Sequence, residues 1–190
     1  MATRLTDVAS TNPATTRSRL NLGCGSDIRP EYVNLDVAPL PGVDVVHDLA
    51  SLPYPFPDDR FDHITAFNIL EHLPDTIGVL EELWRISRNG GEILVRVPYW
   101  NSLDGITDPT HVRWFNQYTF QFFDPTNPRC ARRSYYTHAR FRIADESFFV
   151  RVPRRYVRVR HPMLKGVVAA GAHFLCNVIR ILEYRLVVIK

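Results

Sequence analysis

Between residues 19 and 98 the chain lays down five short apolar runs, and each closes on glycine, asparagine, aspartate, valine or proline at its C-terminal end. Runs of this kind, separated by polar or helical stretches, are the pattern of a parallel sheet with crossovers, so the fold class is α/β. The expected strands are 20–23, 32–37, 43–48, 63–68 and 91–98. In an open α/β sheet the carboxyl ends of such strands line the ligand crevice. Between the fourth and fifth runs, residues 75–88 place Ile77, Leu80, Leu83, Trp84 and Ser87 at helical spacing, with Asn89-Gly90-Gly91 as a stop signal. The first crossover is the unusual part. Only residues 26–31 separate Gly25 from the second strand, and Pro30 is among them, whereas a parallel connection ordinarily needs a dozen or more residues and a helix. A loop, with at most one helical turn, is expected there.

The composition supports a packed core: 45% of residues are hydrophobic and 23% charged. Three widely spaced cysteines without a CxxC pair argue against a disulfide framework and for a reducing, cytoplasmic setting. Residues 1–17 read as a polar, disordered leader, 18–160 as the main domain and 161–190 as an amphipathic C-terminal helix. The longest uncharged stretch late in the chain, 166–179, is well short of the roughly 20 apolar residues that a spanning helix needs. Charge is unevenly spread. Residues 129–190 hold 14 Lys/Arg against 3 Asp/Glu, while the first 128 residues are acidic. A basic segment of that strength either folds against the acidic body or meets something anionic.

Asn21-Leu22-Gly23-Cys24-Gly25-Ser26 ends a strand with two glycines one residue apart, which lets a turn come close to a ligand. A dinucleotide GxGxxG would need glycine where Ile28 stands, so a nicotinamide-type site loses its phosphate cradle. Asp36, ending the next strand, can accept from both hydroxyls of a ribose. Taken in order, NLGCG, YVNLD, VVHDLASLPYPFPDDRFDHI, NILEHL and RNGGEILVRVP resemble the class I S-adenosylmethionine-dependent methyltransferases, particularly their small type 11 group. The resemblance covers about residues 19–100 and implies a Rossmann-like, mostly parallel sheet and S-adenosyl-L-methionine as cofactor. It also implies roles. Gly23 and Gly25 would pass beneath the methionine part, with Cys24 lending backbone contacts. Asp36 would hold the ribose and Val37 would pack on adenine. Asp48 and Leu49 would meet the adenine edge, and Asn68 would lie near the methionine moiety. The chain departs from the family at Asp27, where a third glycine is common, and in the abbreviated first crossover.

A sulfonium methyl is already electrophilic, so alignment supplies much of the acceleration and a base is needed only for hydroxyl or protonated amine acceptors. His111 and His72 are the candidate bases, with Asp104, Asp108 and Arg113 near them in sequence, and Tyr99 and Trp100 as expected pocket walls. The seven histidines lack the i, i+4 pairing or neighbouring cysteines of a zinc site, so no metal is expected. Nucleic acid is a poor candidate acceptor, because the fourth strand runs into Asn68-Ile69-Leu70-Glu71 rather than the base-methylation signature. The resemblance alone implies a small-molecule or polysaccharide- or lipid-linked acceptor; a catalytically inactive methyltransferase-like binding module is the alternative. For the C-terminal stripe three covers are open: the body of the domain, a second copy in a homodimer, or an anionic inner-membrane surface.

Overall fold

The computed structural model describes residues 17–152 and 155–190, so most of the expected leader lies outside the described residues. Eight strands form a single sheet in the order β3-β2-β1-β4-β5-β8-β6-β7: β1 (Arg19–Leu22), β2 (Val33–Asp36), β3 (Val45–Val46), β4 (Phe61–Phe67), β5 (Ser87–Pro98), β6 (Arg140–Val152), β7 (Arg155–Val159) and β8 (Ile179–Ile189). The four pairings from β3 to β5 are parallel and the three beyond β5 are antiparallel. The five strands expected from sequence are therefore all present. The helices are α1 (Thr76–Ile86), α2 (Leu103–Ile106), α3 (Pro128–Arg132) and α4 (Pro162–Phe174).

The core follows from the pleat. Successive side chains alternate faces, and the register aligns Val33, Leu20, Ile64, Ile93 and Leu186 in one row across five strands and Leu35, Leu22, Ala66, Val95 and Tyr184 in another. Both rows are fully buried. Val79, Leu80, Leu83 and Ile86 of α1 join them in one hydrophobic cluster. Asp75 caps this helix by accepting from the Gly78 N–H. Phe120 and Phe123 are buried as well. Ile77, by contrast, is exposed, and Val79 takes its place.

The opposite face is polar. Asn34, Asn21 and Thr65 form the intervening row, and all three are buried although no helix runs between β1 and β2. The short crossover covers them itself. Asn34 Oδ1 accepts from the Arg29 N–H at 3.0 Å and from Asn21 Nδ2 at 3.2 Å, while Asn34 Nδ2 donates to the Arg29 carbonyl at 3.0 Å. The Arg29 guanidinium donates to Thr65 Oγ1 at 2.8 Å and lies 5.5 Å from the Tyr32 ring centroid. A loop held by one buried amide thus stands where a crossover helix is usual.

The C-terminal extension differs from the expected helix over 161–190. Only α4 is helical; β8 is a strand inserted between β5 and β6. Leu182 and Leu186 are four apart, a spacing that satisfies a helical face and an alternating strand alike. Long-range pairing on both sides decides for the strand, with Leu182, Tyr184, Leu186 and Val188 alternating into the core.

Asn34→Ala should lower stability by about 2 to 4 kcal/mol, because several buried crossover groups lose their partner at once. For a chain of this size that is a melting-temperature drop of roughly 5 to 15 °C. Thermal unfolding followed by circular dichroism measures it.

Candidate functional site

Two cavities open along the carboxyl ends of β1, β2, β4 and β5. The smaller, about 230 Å³, is lined by Gly23, Asp36, Val37, Asp48, Leu49 and Ile69, among others. The larger, about 590 Å³, lies over the ends of β4 and β5 and includes Asn68, Glu71, His72, Asp108, His111 and Arg180. His72 borders both.

Of the residues expected from sequence, the smaller cavity brings together Gly23, Asp36, Val37, Asp48 and Leu49. Asp36 Oδ2 accepts from the Gly25 N–H at 2.8 Å and Oδ1 from the Ala38 N–H at 3.0 Å. Each oxygen keeps a further lone pair for a ligand hydroxyl. Asp48 Oδ1 accepts from the Ala50 N–H at 2.9 Å. Val37, exposed, and Leu49, buried, add apolar surface to the cavity that the two carboxylates line. Gly25 adopts φ +49, and a Cβ built on it would meet nothing within 4 Å. An adenosine moiety fits this arrangement: hydroxyls at Asp36, a base between Val37 and Leu49, and open space above Gly25.

A Cβ on Gly23, which lines the smaller cavity, would run into the Ile69 side chain at 2.6 Å, so that glycine is required there for packing as well. The Cys24 N–H donates to the Leu35 carbonyl and the Cys24 carbonyl accepts from the Asp27 N–H, so its backbone is engaged in holding the turn. Asn68 lies in the larger cavity rather than the smaller one. At φ +51 it adopts a left-handed conformation that asparagine tolerates, and it turns the chain from β4 into a short 3₁₀ helix at Leu70–His72. Tyr99, an expected pocket wall, is a core residue whose hydroxyl donates to Gln117 Oε1; Trp100 is half exposed and lines a separate apolar recess.

The larger cavity contains a group that sequence reasoning passed over. Glu71 is 1% exposed, and burial pushes its carboxyl up to about 7. Its backbone carbonyl accepts from the N–H groups of both Val112 and Arg113, at 2.9 and 3.0 Å, and the Arg113 guanidinium donates to the Pro74 carbonyl. These bonds bring His111 beside His72, ring centroids 4.7 Å apart, with His111 Nε2 4.0 Å from Glu71 Oε1. Asp108 is held below the usual carboxylate range by the Thr110 hydroxyl and N–H, both of which donate to it. Asp104 pairs through both oxygens with the buried Arg180.

Residues 21–95 match the family model described as a methyltransferase domain. A probable S-adenosylmethionine-dependent methyltransferase of Mycolicibacterium smegmatis is 31% identical over 122 residues, 53% of this chain and 47% of that protein. A demethylmenaquinone methyltransferase of Lysinibacillus sphaericus is 38% identical over 58 residues, 30% of this chain and 24% of its own. The chain thus spans between a quarter and a half of the length of these curated relatives. Among solved structures, the YcgJ protein of Bacillus subtilis aligns with TM-score 0.56 at 15% identity over 93% of this chain and 94% of that one. An S-adenosylmethionine-dependent methyltransferase of Archaeoglobus fulgidus gives 0.54 at 17% identity, over 92% and 87%. At these identities the structural likeness concerns the fold.

Gly25→Val should reduce affinity for S-adenosylmethionine at least 10-fold, since its side chain would project into the open space above the turn. The melting temperature should fall by only a few degrees, the cost of a β-branched residue at positive φ. Calorimetric titration beside a thermal melt checks both.

Proposed function

We propose that the chain is a class I S-adenosylmethionine-dependent methyltransferase, which transfers the sulfonium methyl group to an acceptor held in the larger cavity. The observation that carries this reading is the shared border at His72, where a cleft fitted to adenosine meets a cavity large enough for a separate molecule. With the adenosine between Asp36 and Asp48, the methionine end would extend past Asn68 and present its methyl to that cavity. S-adenosylmethionine supplies the electrophilic methyl. The chain's own residues bind it, orient it and keep the acceptor in line. Asp36 would hold the ribose, and Asp48 the exocyclic amine of adenine. His111 and His72 are the groups beside the acceptor that can activate it.

Calorimetry with S-adenosylmethionine, followed by a screen of methyl acceptors with labelled cofactor, tests the proposal. Absence of both heat and thermal shift would favour an inactive binding module. Asp36→Ala should weaken cofactor binding by about 1.5 to 3 kcal/mol, roughly 10- to 150-fold, through loss of charge-assisted hydrogen bonds to the ribose. It should also cost some stability, because Asp36 tethers Gly25 and Ala38.

A surface on the C-terminal part supports a lipid-linked acceptor. Met163, Leu164, Val167, Phe174 and Leu175, on or just after α4, are all exposed, Phe174 at 90%. Arg151 and Arg155 on the preceding strands, and Arg160 just after β7, are exposed as well. Among the described residues no helix is long and apolar enough to cross a membrane. A short apolar face flanked by arginines instead suits shallow docking on an anionic leaflet, where each basic residue contributes about 1 kcal/mol. Binding to liposomes should rise with anionic lipid, fall with salt, and be lost in the double variant Leu164→Glu, Val167→Glu. A wild-type chain that stays unbound at low salt in a flotation assay refutes the docking.

A further inference from the structure

One ligand atom from each of Glu71, His72 and His111 lies within 4.8 Å of the others. The hydrogen bonds around them fix what those atoms are. His111 Nδ1 is 3.0 Å from the Gly105 carbonyl, which can only accept, so Nδ1 carries the proton and Nε2 keeps a lone pair. His72 Nδ1 is 2.9 Å from Thr110 Oγ1, whose own hydrogen is directed to Asp108 Oδ1 at 2.7 Å. Thr110 Oγ1 therefore accepts from His72 Nδ1–H, and His72 Nε2 is likewise a bare acceptor. Glu71 Oε2 is buried without a hydrogen-bond partner among the described residues. Two imidazole lone pairs thus accompany a buried carboxyl group, and neither histidine supplies a donor to the other two members. The 4.0 Å between His111 Nε2 and Glu71 Oε1 is too long for a shared proton.

We propose that Glu71, His72 and His111 hold a divalent first-row transition cation on the wall of the acceptor cavity. Imidazole ligands whose other ring N–H is donated to a carbonyl or to a carboxylate-linked hydroxyl are the usual supports of such an ion. Ligands about 2.0 to 2.2 Å from a common centre sit about 3 to 3.5 Å apart, so the cation would draw the three donors together by about 1 to 1.5 Å. Two nitrogens and one carboxylate oxygen favour manganese, iron, cobalt or zinc over magnesium or calcium, and three protein ligands leave positions open. Those positions face the cavity, which selects an acceptor that offers a hydroxyl oxygen. This role, unlike the site itself, rests on the methyl-transfer reading. The hydroxyl coordinates, its acidity rises and its proton leaves to solvent buffer. An oxygen lone pair then forms the new C–O bond while the C–S electron pair returns to sulfur, giving a methyl ether and S-adenosylhomocysteine with the cation's charge unchanged. The imidazoles act as ligands rather than as bases.

Cobalt(II) titration of the chelator-treated full chain, followed by visible absorption, tests the site without any turnover. One cobalt per chain with a d–d band is expected in the wild type, and at least a 10-fold weaker affinity in Glu71→Gln and in His72→Gln, the latter at a half-buried position where folding is less at stake. Glu71→Gln, whose side chain lines only the larger cavity, should retain calorimetric binding of S-adenosylmethionine. A wild type that binds S-adenosylmethionine but no cobalt, or folded variants that bind cobalt as tightly as wild type, would overturn the proposal. A wild type that binds cobalt but not S-adenosylmethionine would overturn the methyl-transfer reading and leave the metal site standing.

Discussion

The register across β2, β1, β4, β5 and β8 is the constraint on which everything else rests. A slip of one residue in any of these strands would move its apolar set to the polar face, because the side-chain period is two. Two continuous buried rows fix all five strands at once. With the strands level, their carboxyl ends come to one edge. Gly23, Asp36, Asn68 and Pro98 meet there for that reason, although no hydrogen bond joins most of them directly.

The second face shows how the fold manages without a helix between β1 and β2. A buried polar group without partners costs as much as several methylenes of burial. Asn21, Asn34 and Thr65 are accordingly satisfied by one another and by the backbone and guanidinium of Arg29. Further along the same face Arg96 and Arg158 converge on the buried Glu183, and Arg96 lies over Phe67. The basic C-terminal segment therefore spends part of its charge inside the domain, through Arg158 on Glu183, Arg180 on Asp104 and Lys165 on Glu146, and leaves Arg151 and Arg155 exposed.

The larger cavity is organised from the backbone. Asn68 reverses β4 into the 3₁₀ turn, and the Glu71 carbonyl, by accepting twice, fastens the long loop after β5 onto that turn. The side chain of the same residue lies buried beneath the two histidines. One residue thereby sets both the position of His111 and the charge beside it.

What the sequence determined by itself was everything carried by local signals. The apolar runs with polar ends gave the strands; the spacing of Leu80 and Leu83 ahead of the Asn89-Gly90-Gly91 stop gave α1; the shortness of residues 26–31 gave a loop; and the order of the motifs gave the methyltransferase resemblance and most of the residues that line the smaller cavity. Tertiary structure decided the rest. Leu182 and Leu186 fit a helix as well as a strand until β5 and β6 offer hydrogen-bond partners on both sides, since spacings of four satisfy both periods. Glu71, His72 and His111 show no metal-ligand spacing along the chain because His111 arrives on a different element. The two hydrogen bonds to the Glu71 carbonyl, with those between Thr110 and His72 and from Arg113 to the Pro74 carbonyl, bring it there, and contacts set by loop closure leave no periodic trace in sequence.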